Sequence, residues 1–295
     1  MSSGKLKIRK WDPTTIAPDA IILLLGKRGT GKSTLMKDIM YHVREKIDFA
    51  IAMSPTEETT EALGSFMPPT MIYNDFRPDK VEQLMSIQRQ QWKRGRGSRV
   101  GLIMDDCMFD KSIFRGEQGK QFRSLFMNGR HRRLFYINAM QYCMDMPPDL
   151  RSQVDYVFQL RDNIQSSRKK TWEQFFGFFP TFEQFSKTMS VCTENYECLV
   201  YDSKASKSNK IEDSIFWYKA DPTLPNFTIG KQVYQTLNDK YYSKDKEERM
   251  EKMSFREHQK LQEDEMRKTT RVVKTDEDQK TVVSKKSANQ WDDFY

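Results

Sequence analysis

Hydrophobic positions fall into short unbroken runs separated by amphipathic stretches. Ala20–Leu25 is apolar throughout, the pattern of a strand covered on both faces. Phe49–Ser54, Thr70–Tyr73, Val100–Met104, Leu134–Ala139 and Val154–Leu160 predict five more strands. Between them, Lys32–Lys46, Pro78–Trp92 and Lys120–Met127 have helical spacing, as in Val81, Leu84, Met85 and Gln88. Continuous apolar strands alternating with helices predict an α/β fold, a mostly parallel sheet with helices on both faces. Thr171–Met189 reads as helix broken at Pro180, crowded with Phe175, Phe176, Phe178, Phe179, Phe182 and Phe185. Core packing or a subunit contact accounts for that crowding better than a ligand pocket. Cys198–Tyr201 and Ser214–Ala220 predict two late strands, joined by a polar loop.

The pattern ends near residue 239. The chain therefore divides into an N-terminal extension (1–19), an α/β domain (20–238) and a charged tail (239–295). The tail carries 14 Lys/Arg against 14 Asp/Glu, so the net charge of +8 resides entirely in residues 1–238. Lys244–Lys268 is compatible with a solvated helix. Disorder is expected after Lys268, and an unstructured end with no partner is favoured over a docking peptide made by Trp291, Phe294 and Tyr295. Ser86–Arg133 holds 12 basic and 4 acidic residues, in the clusters Arg89, Lys93, Arg94, Arg96, Arg99 and Arg123, Arg130, Arg132, Arg133. Such clusters suit a polyanion such as nucleic acid. No apolar run approaches the roughly 20 residues of a membrane span, and no secretory leader is expected. The four cysteines form no CxxC pair, and there are three histidines, so neither a zinc site nor a disulfide framework is expected. A soluble protein of a reducing compartment fits these features.

Gly26-Lys27-Arg28-Gly29-Thr30-Gly31-Lys32-Ser33 matches GxxxxGK[ST] at every fixed position, between a predicted strand and a predicted helix. The glycines let the backbone curl so that successive N–H groups point inward, and the helix that follows presents its positive end. Residues Gly26 to Thr34 are the expected phosphate cradle. Lys32 is expected to bridge the β- and γ-phosphates, and the Ser33 hydroxyl to ligate Mg²⁺. Val100–Asp106 supplies the acids at the end of a buried strand, where open α/β sheets place ligands. Asp105 is expected to hold the Mg²⁺ through its water shell, and Asp106 to orient or deprotonate a water attacking the γ-phosphate. Gln141, just past the strand Leu134–Ala139, is a candidate sensor of the γ-phosphate or of that water, with Asn138 a weaker one. An NKxD element, an LSGGQ-like signature and a second ATPase-like core are all missing from the sequence.

These motifs, together with Asn128-Gly129-Arg130-His131, Asp149-Leu150-Arg151, Asn195–Asp202 and Phe216–Ala220, resemble a known family. It is the poxvirus-type virion DNA-packaging ATPases of nucleocytoplasmic large DNA viruses, a branch of the FtsK–HerA superfamily. The likeness spans roughly residues 20–220. Many members of that superfamily have Asp-Glu where this chain has Asp105-Asp106. The resemblance implies a RecA/FtsK-like P-loop fold and an ATP- and Mg²⁺-dependent motor. It also implies a ring of identical subunits that moves double-stranded DNA into a capsid, in a virion or viral factory, with viral capsid proteins as partners. In such a ring a neighbour's arginine can complete the site. Arg130 is favoured over Arg132, Arg133 and Arg151, and basic loops such as Arg94–Arg99 would grip the DNA backbone. Two other classes remain open. One is a small-molecule or nucleotide kinase with the same loop. The other is a scaffold that binds ATP without turnover.

Overall fold

The computed structural model describes residues 6–95, 97–107, 116–205, 210–242, 270–274 and 280–284. The chain separates into two units, Met1–Lys240 and Tyr241–Tyr295. The strands in chain order are β1 (Arg9–Lys10), β2 (Ile21–Leu25), β3 (Phe49–Met53), β4 (Ile72–Tyr73), β5 (Val100–Asp105), β6 (Leu134–Met140), β7 (Tyr156–Gln159), β8 (Glu197–Asp202) and β9 (Ile215–Lys219). The helices are α1 (Lys32–Val43), α2 (Glu57–Gly64), α3 (Pro78–Lys93), α4 (Gly116–Asn128), α5 (Pro148–Arg151), α6 (Gln165–Phe175), α7 (Phe182–Cys192), α8 (Ile211–Ser214) and α9 (Gln232–Tyr241).

The strands form one sheet in the order β1-β9-β8-β7-β2-β6-β5-β3-β4. Every neighbouring pair is parallel except those made by β8, which runs against both β7 and β9. The reversal follows from the connection. A single crossover helix returns the chain to the starting end of the sheet. The α6–α7 pair adds a second helix and leaves the chain at the other end. Pro180 separates the two helices as expected, and Thr181 caps α7 by accepting from the Gln184 amide at 3.2 Å.

Alternating side chains of β2 feed two cores. Ile21, Leu23 and Leu25 pack with α3, α4, α6 and α7, whereas Ile22 and Leu24 pack with α1 and α2. The sheet is thus covered on both faces, which explains the unbroken apolar strands. Phe175, Phe176, Phe179 and Phe185 are buried, so the aromatic stretch is core as expected. Its first helix begins at Gln165, before the expected Thr171.

The N-terminal extension is part of this unit. β1 is an edge strand parallel to β9. Trp11 is buried, donates to Asp202 Oδ2 at 3.1 Å, and packs edge-on against Tyr156, Phe158 and Tyr218. A lone tryptophan among charges carries no periodicity, so the sequence pattern missed it. Helices α2 and α9 were also not expected.

In the second unit, β10 (Thr270–Lys274) and β11 (Lys280–Ser284) pair antiparallel, with Val272 opposite Val282. Disorder was expected here. Two short β-branched runs on either side of a polar stretch form the pair instead. The expected helix 244–268 and the terminal aromatics lie outside the described residues. The four cysteines are buried and free. No helix among the described residues is long and apolar enough to cross a membrane.

Candidate active site

Three parallel strands end side by side. Leu25 of β2 pairs with Met140 of β6, and Ala139 of β6 with Asp105 of β5. That register brings the start of the glycine-rich loop, the acidic pair and Gln141 to one edge. There they line a cleft of about 760 Å³ with the rest of the loop, a volume suited to a small-molecule ligand.

Hydrogen bonds to β6 and within the loop hold its shape. The Gly26 amide donates to Met140 O at 3.2 Å, and the Thr30 hydroxyl to Lys27 O at 2.7 Å. Glycine is required sterically in this loop. A Cβ on Gly26 would lie 2.6 Å from Thr30 Oγ1 and 2.9 Å from Leu160 Cβ, and Gly31 has φ +98°. Gly31 begins the 12-residue helix α1 with no side-chain cap. The first-turn amides therefore face the cleft with no capping side chain, an arrangement that accepts an anion. Lys27 turns to Asp162 at 3.4 Å, and Arg28 reaches Glu58 at 3.5 Å in solvent. Ser33 and Thr34 are exposed on the cleft wall.

Lys32 is buried, donates to Gly26 O at 2.7 Å and lies 3.7 Å from Asp106 Oδ2. Asp106 has φ +49° and its amide donates to Ala139 O at 2.9 Å. Left-handed backbone turns its carboxylate into the cleft, where Gln141 Nε2 donates to Oδ2 at 3.3 Å. Lys32, Asp106 and Gln141 thus converge. Asn138 does not join them: it is fully buried within β6, between Leu23 and Met104.

Asp105 is 5% exposed and accepts from the Thr59 hydroxyl at 2.8 Å. Burial raises its pKa above the ordinary carboxylate value, and Asp106 raises it further. The Thr59 hydrogen bond and Lys32 act in the opposite sense. A carboxylate held in this way gains from a cation. Among the described residues no cluster of three or more His, Cys, Asp or Glu exists that could enclose a metal. One carboxylate and a hydroxyl beside a phosphate cradle match Mg²⁺, which takes few protein ligands and completes its shell with phosphate and water.

Arg130 lies elsewhere. It occupies the turn before β6, at the opposite end of the parallel strands, and pairs with Asp155. Asp155 in turn accepts from the Ile21 amide at the start of β2. Residues that precede and follow a parallel strand lie at opposite ends of it, so Arg130 cannot reach the cleft of its own chain. Arg151 is buried on α5.

Sequence reasoning missed several residues of the cleft. Thr59 belongs to the unforeseen α2, although Thr56-Glu57-Glu58 has the polar and acidic start of a helix. Tyr196, with Lys219, Ala220 and Pro222, lines the far side of the cleft. Tyr196, Lys219 and Ala220 lie in the strings that carry the family resemblance, but no residue pattern there marks a site.

Comparison with known proteins fits this geometry. No family model matches the chain. It is 32% identical over 252 residues to protein L437 of Acanthamoeba polyphaga mimivirus, covering 82% of this chain and 87% of the relative. It is 34% identical over 199 residues to protein 088R of Invertebrate iridescent virus 3, covering 68% and 75%. The chain belongs to this family of large-DNA-virus proteins. Its fold is similar to that of the genome packaging NTPase B204 of Sulfolobus turreted icosahedral virus 2, solved with AMP. The TM-score is 0.51 at 18% identity, covering 71% of this chain and all of that one. EssC ATPases 2 and 3 from Geobacillus thermodenitrificans give 0.50 at 12% identity, covering 75% and 42%. These likenesses show a shared fold, a mostly parallel α/β sheet with helices on both faces.

Proposed function

We propose that this protein is the ATP-hydrolysing motor that moves viral double-stranded DNA into a capsid. The hydrolytic half rests on the cleft. The γ-phosphate of ATP would draw Lys32 from Gly26 O, and the uncapped start of α1 would hold the β-phosphate. Ser33 and Asp105 would hold Mg²⁺, which supplies charge neutralisation between the β- and γ-phosphates. Asp106, oriented by Gln141, would accept a proton from the attacking water. Loss of the γ-phosphate removes what Lys32 and Gln141 sense, and a subunit interface closed around it would relax. In a ring, Arg130 could act only on a neighbour's nucleotide, and only after leaving Asp155.

The observation that carries the DNA half is a basic pole at the amino ends of the central strands. Gln88, buried on α3, donates to Ser98 O at 2.9 Å and to Arg132 O at 2.7 Å, and Arg133 Nη1 donates to Gly97 O at 2.8 Å. These bonds join the two basic clusters. Among the described residues, Arg89, Lys93, Arg94, Arg132 and Arg133 form no ion pair with a carboxylate. Burial and the charge of Arg89 lower the Arg132 pKa. Cations kept together without counter-charges are supplied with a partner by a polyanion. Arg96 lies outside the described residues.

Grip on the backbone tolerates any base sequence, as packaging requires. Five such contacts lower affinity by about 10²–10³-fold between 50 and 200 mM salt. ATP turnover is therefore expected to rise with random-sequence duplex DNA at low salt, and the stimulation to fade over that range. Unchanged turnover with any DNA at low salt contradicts the motor. Phosphate release without an acceptor separates this reading from a kinase.

A further inference from the structure

The cleft has a second arm that the phosphate chemistry does not use. β2 lies between β6 and β7, so the glycine-rich loop divides the cleft. Asp105, Asp106 and Gln141 line the β5–β6 side, and Tyr196, Lys219, Ala220 and Pro222 line the side of β8 and β9. With the γ-phosphate at Lys32 and the acids, the remainder of a nucleotide extends toward the second arm. Tyr196 is the only aromatic ring among the described residues of the lining.

Its backbone is unusual. The Glu197 amide donates to Glu194 O at 2.8 Å, and the two residues enclosed have positive φ, Asn195 at +49° and Tyr196 at +63°. This is the pattern of a type I′ turn, in which asparagine suits the first central position and glycine the second. Tyrosine here is strained. Packing does not require it, because Tyr196 is 71% exposed. The ring instead overhangs the start of α1, where a Cβ on Gly31 would lie 3.4 Å from Tyr196 Cδ1. A strained and exposed aromatic beside an uncapped helix start has no structural use that a glycine would not serve better.

We propose that Tyr196 is the platform on which the nucleobase stacks, which makes the cleft a site for a nucleoside phosphate rather than for phosphate alone. The inference rests on reading the cleft as the ATP site. Binding of Mg·ADP and of Mg·pyrophosphate to the full-length protein tests it, with Tyr196→Gly and Tyr196→Phe as variants. Tyr196→Gly is expected to melt a few degrees higher than the parent, because the turn loses its strain. It is also expected to bind ADP about tenfold more weakly, the size of one base–aromatic stack. Its affinity for pyrophosphate should be unchanged, and Tyr196→Phe should bind ADP as the parent does. ADP affinity within twofold of the parent in Tyr196→Gly overturns the proposal and leaves the ATPase reading intact. An equal loss for both probes also overturns it, since the ring would then only support the phosphate loop. A parent that binds neither probe overturns the ATP-site reading and the proposal with it.

Discussion

Asp105→Asn separates function from stability at one position. Asp105 is 5% exposed and receives one hydrogen bond, from Thr59 at 2.8 Å. Its pKa is raised, foremost by burial, so the fold prefers the neutral carboxyl. Asparagine keeps an oxygen for Thr59 and removes the charge. Stability at neutral pH is therefore expected to rise by roughly 0.5–2 kcal/mol, the usual yield of relieving an unfavourable functional residue. For a unit of this size that is a few degrees in melting temperature. The sign fixes the pH dependence. A carboxyl with a raised folded pKa binds its proton more tightly in the folded state, so the parent loses stability as pH climbs from the unfolded value of 3.8 through the folded one. The advantage of the variant should be absent below that window, grow through it and stay constant above it. Hydrolysis should move the other way and fall at least 100-fold, because Asp105 is the carboxylate proposed to hold the Mg²⁺. Paired thermal melts from about pH 2.5 to 8, reaching below the unfolded carboxyl pKa, with steady-state phosphate release, measure both. A variant less stable than the parent at pH 7, or one that hydrolyses ATP at the parent rate, refutes the reasoning.

Gln141→Ala should lower kcat by about 10²–10³-fold with little change in ATP affinity, if its amide orients the attacking water; an unchanged kcat in a turnover assay would remove it from the site. Gln88→Ala should weaken DNA binding while DNA-free hydrolysis is maintained, since its amide joins the two basic segments, and DNA titrations at 50 mM salt would reveal equal affinity if that joining is irrelevant. Trp11→Ala should cost about 3–5 kcal/mol in denaturant unfolding, because it empties a buried site and orphans a hydrogen bond to Asp202; a loss under 1 kcal/mol would mean the N-terminal segment is only loosely attached.

The sheet was legible because strands buried on both faces must be apolar throughout, and β2, β3, β5 and β6 lie within two residues of their expected bounds. The phosphate loop was legible because its backbone shape demands glycine at fixed spacing. The reversed β8 was not, since strand direction depends on how many helices intervene and not on the strand's own residues. Asp105 and Asp106 could be found from their place after an apolar run. Thr59 and Tyr196 meet the cleft only through the fold: no motif surrounds Thr59, and the string Asn195–Asp202 around Tyr196 marks a family and not a site. Charge counts located the two basic clusters but could not join them. That needed Gln88, which appears in the sequence as one polar residue on an apolar helix face.

The central claim is that the loop after β2 and Asp105 together hold a magnesium triphosphate. A cryo-EM map of the full-length protein with Mg²⁺ and a non-hydrolysable ATP analogue tests it most directly. The account predicts β- and γ-phosphates against the amides of Gly29 to Ser33 and Lys32 Nζ, with the ion between Ser33 and Asp105. Nucleotide density elsewhere, with Lys32 still on Gly26 O, would contradict it.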